Sequence, residues 1–369
     1  MVILYFILIF ISSYLYVTPL QPQSFILYAL ACGALIAAAP FQQGSKIGRP
    51  LATLVFLCFI AAAVLSCWIN ANATSAVGTL FLGCLYFVAG SYARNPRNLK
   101  RISIAFFSAT IAICLVTLVY SRPESGISYA GIFVNPNSTG GVFATFGAIA
   151  LAHFLGENSR KRITYVLLAA FAIGIVLLTR SRGSLASLGL CVAIVWFVMA
   201  YRSVVSFRQA RIFVGLNLAG IVGAWLLWPV LVVPLLEKVY FKTFDRGDVT
   251  DGRYDLWSYY LSKSVAMGRG RDFLLGETRG AHNTFISITV QYGWIAGIAF
   301  LLFCIIMLWR AYRFAKIDQS KLRYLPLFAC LSFLSLSMIE GMMMKSAMLA
   351  MFFMLPVCSE HKRLNRISD

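Results

Sequence analysis

Three short segments of this sequence carry residue types that chemistry can use. Thr179-Arg180-Ser181-Arg182-Gly183-Ser184 places two arginines in a tight turn between long apolar runs. Asp251-Gly252-Arg253-Tyr254-Asp255-Leu256-Trp257 lies in the longest polar stretch, and Ala281-His282-Asn283-Thr284-Phe285 opens a further apolar run. A guanidinium fork matches phosphate oxygens bidentately. The residues after Arg182 begin a helix, whose N-terminal amides and dipole favour an anion. Asn283 or Thr284 suits the cap of the helix that follows. A histidine at that helix start feels a positive dipole, which disfavours protonation and keeps a base in hand. Arginines beside an uncharged imidazole suit group transfer from a pyrophosphate. The guanidiniums of Arg180, Arg182 and Arg253 would hold the diphosphate and take up its charge as it leaves. His282 would accept a proton from the attacking hydroxyl, with Asn283, Tyr254 and Trp257 in support. Each segment also has a plain structural reading: arginines snorkelling to an interface, a helix that merely covers its neighbours, and a surface histidine beside a cap.

The rest of the chain must position these residues, and its composition says in what medium. The sequence has 369 residues, of which 60% are hydrophobic and only 12% charged. Soluble domains run near half apolar and a quarter charged, so this balance belongs to the membrane class. Hydrocarbon about 30 Å thick needs roughly 20 apolar residues per helix. The apolar runs are approximately 2–18, 23–40, 51–69, 75–93, 102–120, 139–155, 163–179, 184–201, 212–236, 285–309, 325–340 and 346–358. They are continuous rather than alternating, which excludes a closed barrel. The expected fold is therefore all-α, a polytopic transmembrane helix bundle of about twelve spans. The last two runs are short, so the range is ten to twelve. The whole chain, 1–369, reads as one integral membrane domain. Its first run lacks a basic leader and a small-residue cleavage site, and reads as an anchoring helix.

A net charge of +19 suggests nucleic acid until its distribution is followed along the chain. Twenty of the thirty-two Lys and Arg residues fall in alternate connections and at the C-terminal end, against four in the short connections opposite. That alternation is the positive-inside pattern. It puts both termini in the cytoplasm and the loop 237–283, where eight basic residues meet seven carboxylates, on the periplasmic face. The basic surplus is a topology signal, and no nucleic-acid partner is expected. All nine cysteines lie within or at the ends of apolar runs and read as small buried hydrophobes.

From Arg253 onward, Tyr254, Trp257, Leu261 and Ser264 or Val265 recur at helical spacing. This predicts an amphipathic helix within the large loop, lying on the membrane surface with Trp and Tyr at headgroup depth. Several other features carry weaker signals. Asp245, Asp248 and Asp251 miss the spacing of a calcium loop. Gly268-Arg269-Gly270-Arg271 resembles a phosphate-cradling turn, and Gly131–Asn137 reads as a re-entry turn lining the same cavity. Glu340 and Lys345 sit near the same end of the last hairpin, where a local ion pair explains an acidic residue as well as function does. No ligand set with metal spacing appears, so no cofactor or metal is expected.

The segments LLTRSRGSLASLGL (177–190), DGRYDLWSYYL (251–261) and AHNTFISITVQYGWIAGI (281–298) resemble the three signature segments of the O-antigen ligase and O-antigen polymerase superfamily. The resemblance covers roughly 130–310. It implies that Arg182, Arg253 and His282 are the essential arginines and histidine, with Arg180 an additional arginine beside the motif. It implies metal-independent, inverting glycosyl transfer from an undecaprenyl-pyrophosphate-linked glycan. In the ligases the acceptor is the lipid A-core oligosaccharide; in the polymerases it is another lipid-linked repeat unit. The short chain and single large outer loop favour the ligase, while O-antigen and exopolysaccharide polymerases and protein-glycosylating oligosaccharyltransferases share the motifs. Membrane lipids would be the remaining partners. A transporter of lipid-linked glycans is the rival from another class; it would call for charges in mid-membrane and related halves, and neither stands out in the sequence.

Overall fold

The computed structural model describes residues 3–4, 7–8, 21–38, 50–93, 96–121, 128–133, 135–229, 233–240, 252–270, 273 and 280–341. Among these residues the regular structure is helical. The helices are α1 (Gln21–Ala38), α2 (Pro50–Ile69), α3 (Ala73–Ala93), α4 (Pro96–Tyr120), α5 (Pro136–Gly156), α6 (Lys161–Thr179), α7 (Arg182–Val205), α8 (Phe207–Leu227), α9 (Val233–Tyr240), α10 (Arg253–Lys263), α11 (Thr284–Tyr292), α12 (Trp294–Ile317) and α13 (Leu325–Ser337). Seven spans among the described residues are long and apolar enough to cross a membrane: 51–69, 98–119, 136–156, 161–179, 182–205, 207–227 and 294–317. Ser75–Cys84 and Leu325–Ser337 are shorter apolar helices. The expected run 346–358 lies outside the described residues, as does nearly all of 2–18.

The chain divides into two compact units, one of 1–116 with 252–369 and the other of 117–251. In the first, α2 and α12 meet through aromatic rings. Phe56 lies 4.2 Å from Tyr86 and 4.9 Å from Phe303 between ring centroids, and Phe59 lies 5.1 Å from Phe300. Phe285 of α11 joins the same group, 5.8 Å from Phe300. These rings fix α11 and α12 against α2, and with them the chain that precedes α11.

The expected tenth span, 285–309, is not one helix. It breaks at Gly293, whose φ of 98° only glycine adopts without strain. A Cβ at Gly293 would run into the Ala266 carbonyl and lie 2.7 Å from the Gly268 nitrogen. Residues 265–269 thus pass directly against the break. They also satisfy the backbone groups that the break exposes. Arg269 N–H donates to the Val290 carbonyl (2.9 Å) and Trp294 N–H to the Val265 carbonyl (3.2 Å). From α2, the Ser66 hydroxyl donates to the Gln291 carbonyl at 3.2 Å. The glycines of 268–270 serve this packing: both have positive φ, and a Cβ on Gly268 would overlap the Gln291 carbonyl. Arg269 turns its Nε to the Lys263 carbonyl and its guanidinium over the Phe273 ring. The supposed phosphate-cradling turn is a splint for a broken helix.

In the second unit α5 is the central helix, buried continuously from Thr139 to Leu155. Its small residues permit this. A Cβ on Gly140 would lie 2.9 Å from Thr179 Oγ1, and one on Gly147 2.8 Å from a Leu188 methyl, so α6 and α7 lie hard against α5. By contrast α8 buries none of its residues among those described, as suits a helix surrounded by lipid.

Candidate functional site

Arg253, His282 and Glu340 come together in the first unit, although they are far apart in the sequence. Gly252, at φ 77°, lets the chain turn into α10, so Arg253 is its first residue. The packing face of α10 is Leu256, Trp257 and Tyr260. Tyr260 is fully buried with Ala281 and Val290, against Ile286 and Phe273. Of the apolar face read from the sequence, Tyr254, Leu261 and Val265 are exposed. Trp257 also has a partner within the protein. Its indole N–H donates to the Ala281 carbonyl at 2.7 Å, one residue before His282.

His282 has a φ of 47°, in the left-handed region that a side chain with a Cβ seldom adopts. Its neighbours hold it there. Asn283 is the N-cap of α11; its Oδ1 accepts from the Phe285 and Ile286 amides at 2.9 and 3.1 Å. Trp257 fastens the preceding carbonyl. Only Ala71, Arg180 and His282 among the described non-glycine residues have positive φ, and two of those three come from the sequence-derived candidates. Left-handed strain of this kind costs on the order of 1–2 kcal/mol and tends to gather at functional positions.

The turn after α13 brings in the third member. A helix ends with carbonyls that lack intrahelical partners, and here three donors from the site take them. Asn283 Nδ2 donates to the Met338 carbonyl at 3.0 Å, Arg253 Nη1 to the Ile339 carbonyl at 2.7 Å, and Thr284 Oγ1 to the Glu340 carbonyl at 2.9 Å. The Glu340 side chain is then fixed between the other two. Its carboxylate lies 3.7 Å from Arg253 Nη2 and 3.6 Å from His282 Nδ1. The first is an ion-pair separation, the second becomes one only when the imidazole is protonated, and both are longer than hydrogen bonds. Glu340 is largely buried, with 12% of its side chain exposed, while 39% of the His282 side chain is open. The imidazole is accessible from one side and faces a carboxylate from the other.

The second unit carries the other arginines. Arg180 ends α6 with φ 51°, its N–H donating to the Leu177 carbonyl. Ser181 is the N-cap of α7, accepting from the Ser184 amide, and Arg182 is the first residue of that helix. The segment 128–139 packs against this turn: Tyr129 N–H donates to the Leu178 carbonyl at 3.0 Å, and Thr139 Oγ1 donates to the Ala130 carbonyl. Asn135 caps α5, accepting from the Asn137 amide at 2.8 Å. The starts of α5 and α7 therefore lie side by side, with Gly140 against Ser184. Two helix dipoles point their positive ends at one place, beside Arg182. Such an arrangement favours an anion.

No family model matches this chain. No curated protein matches it either.

Of the expected site residues, Arg253, His282 and Asn283 meet around the 338–340 turn, Trp257 supports them from α10, and Tyr254 is exposed on the same helix. Arg180 and Arg182 belong to the other unit. Glu340 is the functional candidate whose partners the sequence did not show. Its signal was an acidic side chain at the end of an apolar helix. Local spacing pointed to Lys345, which lies outside the described residues, whereas the carboxylate faces Arg253 and His282. Asp245, Asp248 and Asp251 also lie outside the described residues.

Proposed function

We propose that this chain is a glycosyltransferase of the bacterial inner membrane, which moves an O-antigen-type glycan from undecaprenyl pyrophosphate to the lipid A-core oligosaccharide on the periplasmic face. The observation that carries the reading is the grouping of Arg253 and a partly open His282 about one carboxylate, in segments that resemble the ligase signatures. The acceptor hydroxyl attacks the anomeric carbon, and the bond from that carbon to the phosphate oxygen breaks. His282 takes the hydroxyl proton, and the electron pair leaves with the pyrophosphate. Arg253 takes up the charge on the leaving group. The resemblance assigns Arg182, with Arg180 beside it, to binding of the donor diphosphate. The reaction inverts the anomeric centre, because attack and departure occur on opposite faces.

The test is transfer by purified protein in lipid nanodiscs, supplied with lipid-linked glycan and lipid A-core acceptor. Wild-type protein should form product in the presence of a chelator. His282→Ala should lose about 10²–10⁴-fold, the usual contribution of a general base. Arg253→Ala and Arg182→Ala should each lose both rate and donor affinity. Normal turnover by His282→Ala would refute the assignment of the base. Product formed only when a second lipid-linked repeat replaces the core acceptor would identify a polymerase instead.

A further inference from the structure

We infer that Glu340 is the positioning residue that sets the tautomer of His282 and couples it to Arg253. The inference rests on the reaction proposed above. The imidazole presents Nδ1, not Nε2, to the carboxylate, at 3.6 Å. An anionic oxygen there favours the tautomer with its proton on Nδ1, and so leaves the Nε2 lone pair free. The geometry of the carboxylate is imposed from the backbone. The Glu340 N–H donates to the Leu336 carbonyl at 2.8 Å, and its own carbonyl accepts from Thr284 at 2.9 Å. Arg253 is held from the same turn through the Ile339 carbonyl. One rigid turn thus fixes the carboxylate, the guanidinium and, through Asn283, the residue next to the histidine.

Charge flow in the transfer explains why a carboxylate belongs there. When Nε2 takes the acceptor proton, the imidazole becomes a cation, and Glu340 neutralises it without itself binding the proton. The new bond forms from the acceptor oxygen to the anomeric carbon, and the departing electron pair ends on the pyrophosphate beside Arg253. The imidazolium then returns its proton to water. A glutamine at 340 has nearly the same shape but removes the charge, and its amide can donate to Nδ1 and select the wrong tautomer.

The charged groups facing this imidazole among the described residues are few. Glu340 approaches from the turn after α13, and Arg253 from α10 lies across that carboxylate. Helix α11 carries no charged side chain.

The experiment uses full-length protein in nanodiscs with ¹⁵N-histidine, His282→Ala identifying the signal. In wild type, Nδ1 should carry the proton of the neutral ring. In Glu340→Gln the proton of the neutral ring should move to Nε2. kcat/KM should fall at least about tenfold, while Glu340→Asp keeps the proton on Nδ1 and recovers part of the rate. A neutral ring still protonated on Nδ1 in Glu340→Gln would overturn the positioning role. Wild-type protein that transfers no glycan, yet shows the change of tautomer, would retain the tautomer assignment and reject the reaction it serves.

Discussion

Asn283 offers the sharpest test of how the site is held together, because its two ends do separable things. Its Oδ1 caps α11 by accepting from two amides, and its Nδ2 ties α11 to the turn after α13 through the Met338 carbonyl. The residue is 4% exposed. Asn283→Ser retains a good capping oxygen but is too short to reach Met338. Asn283→Ala loses both. A cap contributes about 1 kcal/mol. A buried carbonyl left without a donor costs about 1–3 kcal/mol. The Met338 side chain is half exposed, so water can approach that carbonyl once the tie is cut, and the lower figure applies. The serine variant should therefore lose about 1 kcal/mol and the alanine variant about 2 kcal/mol. In a chain of this length that corresponds to about 1 and 3 °C in Tm. Thermal unfolding in one detergent, on all three proteins, reads both steps. Serine equal to wild type would show that the Met338 tie contributes nothing. Serine equal to alanine would show that the cap contributes nothing. Either result refutes the division.

Two further expectations concern other contacts. Trp257→Phe keeps the packing of α10 but removes the indole donor to the Ala281 carbonyl, so it should cost about 1 kcal/mol and lower kcat of the proposed transfer with little change in KM for the donor. Unaltered kcat would show that the left-handed His282 needs no such tether. Gly140→Ala pushes a methyl against Thr179 and Ser184 and should cost about 1–3 kcal/mol, whereas Gly174→Ala, with open space at the Cβ, should be neutral or slightly stabilising. Unfolding measurements that place the two variants together would overturn the close approach of α5 to α7.

How much of this was legible in the sequence depended on whether the signal was local. Helix starts were legible, because a cap acts within three residues: Asn283 and Arg253 begin helices where the sequence placed them. The apolar runs from 51 to 227 also gave helices, since a run of apolar residues needs no distant partner to be recognised. The break at Gly293 was not legible. A glycine within an apolar run reads as tolerated, and only residues 265–269, packed against it, show why it must be glycine. On α10 the face that packs on α11, with Tyr260 buried, was not legible, because periodicity reports an apolar stripe and not which protein partner another face of the helix meets. Glu340 was read with its sequence neighbour Lys345, since nothing in a linear pattern reports that the turn after α13 returns to α10 and α11. The candidate residues were thus legible one by one, and their grouping was not.

The site grips the turn after α13 by main-chain oxygens at 338, 339 and 340 and by the Glu340 carboxylate. Met338 and Ile339 lend carbonyls to the assembly and nothing that distinguishes one amino acid from another. Their side chains are therefore at liberty to drift over generations of descent, provided the bend persists. Positions 253, 283 and 284 enjoy no such latitude, because there the grip is made by the side chains themselves. Resemblance between distant cousins of this chain should accordingly be sought in the gripping residues and in Glu340, while Met338 and Ile339 diverge into unrecognisable spelling.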